Sequence, residues 1–469
     1  IVMKNGLVDR MPIGDIVEKK DEAEVISFDK NKKVKFSPIK DFIKHSPDNH
    51  VVEITTASGR KVRVTNDHSL FSIYGTEIID LPTTHLKANE SYIAIPKKLP
   101  FPEIHSEVIN LVKVLSRNIY VNFNDCIEDA INKLGKERVA EILGVKKKYV
   151  YDVLSKKLSI SSKGFLELTK QAEISVDYGK IFINAGNSIH SMPALLSITP
   201  ELCELLGLWV AEGDYNKNGV RIHAMDSEIR ERIKYLLEKN KLPFSYTDKS
   251  FSIDSLLFQF IFKDVFKLEG GAENKRIPAL VFTLPKNYIC AFLRGYYSGD
   301  GLIYTTNKGR NMAIEAATKS EKLANDIMYL LLGFGIIGRT YKKKLDNDIY
   351  YRIMFIGVDY LKAFSEIGFI DKKRNGRITL YINTKKWKRS DNIPITGELS
   401  SIIPKSRRNN QTIEREELRK IGERFKNDKI LNLVNADVYF DKVVSINSIN
   451  YTNPVFDLTI NPTENFVAG

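Results

Sequence analysis

The chain has 469 residues, and 71 Lys and Arg set against 58 Asp and Glu leave a net charge of +13. That length is too great for one compact core and predicts about two to four domains. No apolar run reaches the roughly 18 residues of a membrane span and no basic-then-apolar leader opens the chain, so a soluble cytoplasmic protein without membrane contact is expected.

The first hundred residues predict short strands and turns. In VVEITTASGRKVRVTNDHSLFSI two β-rich runs flank Ala57, Ser58 and Gly59, the pattern of a hairpin. The prolines of YIAIPKKLPFPE then mark a boundary. From about Asn122 to Lys170 the pattern turns helical, and RVAEILGVKKKYVYDVLSKK has helix-turn-helix spacing. Ala140 permits close helix approach, Gly144 makes the turn, and Val150 and Val153 dock the second helix. Lys147, Lys148, Tyr149, Tyr151 and Lys156 are then on or near its presented surface, either as a DNA-reading face or as a solvated lysine-rich one. The basic excess likewise fits either a nucleic-acid partner or a heat-adapted surface. At the other end, DKVVSINSINYTNPVFDLTI returns to β alternation. β-rich ends around a mixed middle are what an insertion into a loop of one domain produces. Cys126, Cys203 and Cys290 are far apart, with no CxxC spacing, and are expected as free core thiols.

The middle contains a repeat. LLGLWVAEGD, from Leu205, aligns with LRGYYSGDG, from Leu293, glycine on glycine: Gly207 with Gly295, Ala211 with Gly299, Glu212 with Asp300. Each copy continues as strand, amphipathic helix and short strands, and each reaches an Ile-Pro pair, Ile277-Pro278 and Ile393-Pro394. The small residues stand four apart, on one helix face, so two such helices can cross with backbones nearly touching. Glu212 and Asp300 would then emerge side by side. Paired carboxylates repel unless a cation sits between them, and all-oxygen ligands favour Mg²⁺ bridging to phosphate. In a single copy the same residues would read only as a helix end before left-handed glycines. Two copies in a basic chain favour metal-assisted phosphodiester hydrolysis.

These two segments resemble the signature helices of a single-chain LAGLIDADG homing endonuclease, and the chain ends resemble the Hint splicing domain of an archaeal-type intein. GRKVRVTNDHSLFSI is similar to the intein motif with a Thr and a His, here Thr65 and His68; VFDLTINPTENFV is similar to the C-terminal motif with an Asp, here Asp457; AENKRIPALVF is similar to the endonuclease block with a lysine before Ile-Pro, here Lys275. The resemblance implies a mixed fold: an all-β Hint domain from both chain ends, an inserted α+β endonuclease, and a small helical segment. The expected boundaries are 1–100 for the N-terminal splicing part, 101–195 for the helical insertion, 196–395 for the endonuclease (196–290 and 291–395 as pseudo-repeats), 396–435 for a linker and 436–469 for the C-terminal splicing part.

The resemblance further implies a monomer with a Mg²⁺-dependent double-strand break in a long asymmetric DNA site, Mn²⁺ able to substitute. Glu212 and Asp300 would be the metal ligands, Lys275 would sit near a scissile phosphate, and Lys388, farther ahead of Ile393-Pro394, would be its counterpart. Lys319 is either a DNA contact or a capping lysine; Lys147, Lys148 and Lys156 are further DNA contacts. In the splicing part His68 would activate the N-terminal junction, Thr65 would orient it, and Asp457 would help coordinate the two junctions with the host exteins. The chain departs from the family at Ile1, where a Cys or Ser nucleophile is usual, at its end, where His-Asn is usual, and at Glu464, where many relatives have His. Both ends read as trimmed, the Lys4-Asn5-Gly6 turn standing where relatives have one, so splicing is not expected of this chain as it stands. The other readings are a non-cleaving DNA-binding protein, a decayed intein remnant, and an RNA maturase, the last disfavoured by the intein-like ends.

Overall fold

The computed structural model describes every residue except 1, 5–6, 48–49, 102–107, 116–118, 187–190, 308, 385–390, 404–410 and 468–469. It divides into two compact units, one of Ile1–His105 with Ala272–Gly469 and one of Ser106–Gly271. No helix among the described residues is long and apolar enough to cross a membrane.

In the first unit the two chain ends build one β frame. Strand Val34–His45 pairs antiparallel with Val455–Ile460. Strand Val438–Asn450 pairs with His50–Thr56 along one stretch and with Tyr92–Pro96 along another. The expected hairpin is present: His50–Thr56 pairs with Lys61–Val64, and Gly59, at φ +84°, makes the left-handed turn. Alternation sets the inward face, where Val52, Ile54, Leu86, Ile93 and Val443 form one core. A second core joins Val2, Ile16, Val17 and Val25 to Leu458 and Ile460 from the far end of the chain. Of the Lys4-Asn5-Gly6 turn, Asn5 and Gly6 lie outside the described residues; Lys4 and Leu7 pair across it.

The stretch read as a linker, 396–435, is folded in its described residues, 396–403 and 411–435. It carries helices Arg415–Phe425 and Asp428–Asn435, and Leu399, Ile403, Leu418, Ile430 and Leu433 share a core with Phe28, Ile73 and Tyr92. Arg415 organises it: buried, it donates from Nε to Asp391 at 2.7 Å and from Nη1 to the carbonyls of Leu433 and Val434 at 3.0 and 3.2 Å, satisfying the end of the second helix. The polar composition of this stretch hid that core, because its apolar residues are few and widely spaced.

In the second unit, strands Ile160–Ser161, Ile119–Val121, Phe182–Ala185 and Met192–Pro193 form a small sheet in that order beside helices Asp125–Leu134, Lys136–Leu143, Lys147–Lys156 and Ser162–Gln171. The middle two helices are the expected helix-turn-helix, Gly144 left-handed between them and Val150 and Val153 buried. Next comes the first repeat: α1 (Pro200–Glu212), β1 (Gly213–Asn216), β2 (Gly219–His223), α2 (Ser227–Lys239), β3 (Ser245–Tyr246) and β4 (Ser250–Ile253). Thr199 caps α1 by accepting the Leu202 N–H at 3.1 Å, and Pro200 fits its first turn. In the first unit the second repeat runs α3 (Lys286–Asp300), β5 (Gly301–Thr306), β6 (Asn311–Thr318), α4 (Glu321–Gly333), β7 (Arg339–Leu345) and β8 (Asp348–Ile356). It continues into α5 (Val358–Ile367) and α6 (Lys372–Thr384).

The strand orders are β1-β2-β4-β3 and β5-β6-β8-β7, one topology built twice. In both copies the helix passes straight into the first strand. Gly213 (φ −93°, ψ 152°) and Gly301 (φ −84°, ψ 138°) are extended rather than left-handed, so the alternative of a plain helix end before left-handed glycines does not hold. Glycine is needed for space: a Cβ would stand 2.3 Å from the Trp209 ring at Gly213 and 2.2 Å from the Tyr297 carbonyl oxygen at Gly301. The Ile-Pro pairs are not equivalent, since Ile277-Pro278 leads into a short 3₁₀ helix (Ala279–Thr283) and Ile393-Pro394 ends strand Asn392–Pro394. Gly301→Ala is expected to destabilise its unit by about 1–3 kcal/mol, through a backbone contact that cannot relax by rotamer change. A urea unfolding curve reads this as a lower midpoint; an unchanged midpoint would show that the exit is not sterically tight.

Candidate functional site

Each repeat presents one carboxylate at the last residue of its first helix. In α1, Leu202 through Ala211 are all buried, and Glu212 is the first exposed residue after them. In α3, Tyr296, Tyr297 and Ser298 are buried and Asp300 is half-buried. Burial, and after it the charge of Asp300, pushes the Tyr296 phenol well above its ordinary range, so that hydroxyl stays neutral. A helix C-terminus carries partial negative charge, which disfavours a carboxylate there and favours a cation beside it. The α3 terminus meets one: Arg374 on α6 donates to the carbonyls of Tyr297 (3.2 Å), Ser298 (2.7 Å) and Gly301 (2.7 Å). At α1, the Trp209 indole donates to the Asp214 carbonyl at 3.3 Å, and Glu204 takes a bidentate pair of 2.8 Å bonds from Arg232 on α2.

Each carboxylate is an oxygen donor of the kind that Mg²⁺ accepts, completing its shell from water and phosphate. Among the described residues no group of three or more His, Cys, Asp or Glu that could hold a metal ion is present.

The sheets behind these carboxylates carry further charge. Arg221 donates to both oxygens of Asp214 at 2.8 and 2.7 Å, and this, with His223 at 3.6 Å, holds the Asp214 carboxyl below its ordinary range. In the other repeat Glu315 is buried on β6, accepting from Tyr304 (2.7 Å), Tyr341 (2.9 Å) and Arg352. Sequence reading missed this cluster. Its signal is a carboxylate in the otherwise apolar strand NMAIEAAT.

Lys275 is buried, and its neighbour Arg276 pairs with buried Asp326, which also pairs with Arg10 from the N-terminal segment. Lys319 pairs with Asp348 at 2.6 Å and lies 5.5 Å from the Tyr350 ring; Ser320, not Lys319, caps α4. Lys388 lies outside the described residues. On the helix-turn-helix, Lys147 pairs with Glu137, Lys156 pairs with Asp152 at 2.8 Å, and Lys148 is exposed. Tyr149 turns inward, its hydroxyl 3.3 Å from the Ser159 carbonyl, while Tyr151 is exposed with Lys136 4.3 Å from its ring centre. Such exposed ion pairs are weak enough to exchange for phosphate. Cys203 and Cys290 are buried as expected and Cys126 is half-exposed; burial pushes the Cys203 thiol up to about 12.

Within the β frame a cavity of about 450 Å³ is lined by Thr65, His68 and Asp457 together with Glu464 and Asn465. Thr65 and His68 flank a tight turn, the His68 N–H reaching the Thr65 carbonyl at 3.2 Å. The His68 carbonyl accepts the Thr83 N–H at 3.0 Å, which fixes the turn to the next strand pair. Asp457 lies on Val455–Ile460 opposite Ile43 and accepts the Leu458 N–H at 2.8 Å. The Asn465 amide bonds both the N–H and the carbonyl of Phe28, at 2.8 and 2.9 Å. Glu464, at φ +54°, precedes it. One wall comes from the second repeat, through Tyr329 and Leu332 of α4. That repeat is tied to the frame by the Ser58 carbonyl with the Thr340 N–H (2.7 Å) and the Leu332 carbonyl with the Leu99 N–H (3.1 Å). Ser58 in turn bonds buried Asp441, a second carboxylate that sequence reading did not single out.

A DNA polymerase of Thermococcus kodakarensis is 26% identical over 518 residues, covering 95% of this chain and 29% of that protein. The chain spans less than a third of the length of the curated DNA polymerases it matches. Among solved structures, a transcription factor IIB Mvu mini-intein matches with 24% identity and a TM-score of 0.19, over 20% of this chain and 66% of that one. The structure of I-DmoI in complex with DNA and Mn matches with 14% identity and a TM-score of 0.25, over 36% of this chain and 96% of that one. The model of the intein splicing domain matches residues 1–469, and the chain belongs to that family.

Proposed function

We propose that this chain is an intein whose inserted region is a site-specific homing endonuclease, making a Mg²⁺-dependent double-strand break in DNA. The observation that carries the reading is the repeated exit, helix to carboxylate to glycine to strand, in two sheets of the same order. The helix dipole disfavours a carboxylate at a C-terminus, so finding one at the same place in both copies favours a functional role. The region 196–395 is its endonuclease, 1–100 and 436–469 its splicing parts, and 101–195 an added DNA-recognition segment.

In this reading Glu212 and Asp300 are the ligands of Mg²⁺, for which Mn²⁺ substitutes. A bound divalent ion supplies Lewis-acid charge at a phosphate oxygen and makes a bound water more acidic. Glu212 and Asp300 orient the water and the phosphate, and Lys275 and Lys388 neutralise developing charge at the scissile groups. Arg221, Arg352 and Lys319, with Lys147, Lys148 and Lys156 of the helix-turn-helix, contact a long asymmetric double-stranded site. The protein acts as a cytoplasmic monomer.

The test uses the host coding sequence joined across the insertion point, with Mg²⁺. Glu212→Gln and Asp300→Asn are each expected to lower double-strand cleavage by about a hundredfold or more while DNA affinity in Ca²⁺ is retained. Cleavage at the unmodified rate in the double variant would remove the assignment. For the splicing cavity, we propose that His68 activates the N-terminal junction, Thr65 orients it and Asp457 coordinates the two junctions. In a precursor with host segments and a competent nucleophile at the junction, His68→Ala should slow N-terminal junction cleavage by about a hundredfold and leave DNA cleavage intact. An unchanged junction rate would exclude that role.

A further inference from the structure

We propose that Arg374 is a positioning residue for Asp300, a role that rests on the endonuclease reading above. Asp300 ends α3, where the last carbonyls have no partner inside the helix. The Arg374 guanidinium gathers three carbonyls that bracket Asp300 in sequence, those of Tyr297, Ser298 and Gly301. Its Nε bonds Asp371, and Asp371 also accepts the Arg374 main-chain N–H at 2.8 Å. These contacts occupy four of its five N–H donors, and none of them goes to the Asp300 carboxylate. The guanidinium thus fixes the backbone on both sides of the ligand without competing for the ligand's oxygens.

Two further bonds make the seat rigid. Arg294 Nε donates to the Ile367 carbonyl at 2.9 Å, and the Ser298 hydroxyl accepts the Ile370 N–H at 2.9 Å. The α5–α6 junction is therefore tied to the last two turns of α3 at three levels, by Arg294, Ser298 and Arg374. Asp371 is buried, and Arg374 packs over the Phe369 ring at 4.4 Å, so the pair cannot swing out as an exposed ion pair would. A fold brace alone could use apolar packing. A planar cation locked in place at a helix end that carries a carboxylate is the arrangement by which outer groups orient a metal ligand. The first repeat has the Trp209 indole on the Asp214 carbonyl at its corresponding end.

The experiment compares Arg374→Lys and Asp371→Asn with wild type on supercoiled plasmid bearing the uninterrupted site. Three readings are taken: the rates of nicking and linearisation at saturating DNA, DNA affinity in Ca²⁺, and Mn²⁺ binding to the DNA complex by the electron paramagnetic resonance signal of free Mn²⁺. Arg374→Lys keeps the charge and loses the fork; Asp371→Asn keeps the guanidinium and loosens it. Both are expected to lower the maximal cleavage rate and Mn²⁺ affinity about tenfold, with DNA affinity unchanged and nicked circles accumulating. Lower melting temperatures with wild-type cleavage and a wild-type Mn²⁺ curve would overturn the proposal and leave Arg374 a fold brace. Should wild type itself fail to nick, and Asp300→Asn leave Mn²⁺ binding unchanged, the endonuclease reading fails and takes this one with it. Should Arg374→Ala not fold, the two conservative variants decide the question.

Discussion

The pairing of the two chain ends is the constraint on which the splicing part depends. Strand Val438–Asn450 takes its hydrogen-bond partners from His50–Thr56 and Tyr92–Pro96, strands more than three hundred residues earlier in the chain. Backbone groups of a buried strand must be satisfied, so neither end can complete its sheets without the other. The chain between about residues 100 and 395 therefore has to leave the frame and return to it. That requirement tolerates a very large insertion, because loop-closure entropy rises only slowly with length. It also brings Asp457 to the same cavity as Thr65 and His68.

The inserted repeat obeys a different constraint, steric rather than topological. A carboxylate can be presented at a helix end at a reproducible place only if the chain beyond it leaves in a fixed direction. Gly213 and Gly301 provide that by letting a strand start at once against the helix's own carbonyls, where any Cβ would collide. The same rule acts twice, on different side chains: an indole closes one copy, and a guanidinium closes the other. Duplication preserved the backbone path and left the means of bracing it to diverge.

The features legible in the sequence were those written in local spacing. The glycine register of LLGLWVAEGD and LRGYYSGDG disclosed the repeat, and Ala140, Gly144, Val150 and Val153 disclosed the helix-turn-helix, because neighbours three and four apart on a helix are neighbours in space. The β alternation of both ends was equally readable. Arg374, Arg415, Glu315 and Asp441 were not legible. Each is a polar residue whose partners lie far away or on main-chain carbonyls, and neither circumstance leaves a periodic mark. Residues 396–435 failed for a related reason: their core is completed by Phe28, Ile73 and Tyr92, residues more than three hundred positions upstream. That clearance rather than a left-handed conformation calls for Gly213 and Gly301 was not legible either, because spacing signals a glycine without saying which of the two requires it.

The wall that Tyr329 and Leu332 contribute to the splicing cavity makes the insertion something other than a passenger. The frame's turn at Ser58 and its strand exit at Leu99 both hydrogen-bond to the second repeat, so removing the repeat would expose an apolar flank and strand polar main-chain groups of the host frame. Substitution at the helix-end carboxylates and removal of the repeat are therefore different changes in this architecture, since only the second takes away α4 and with it a wall of the cavity.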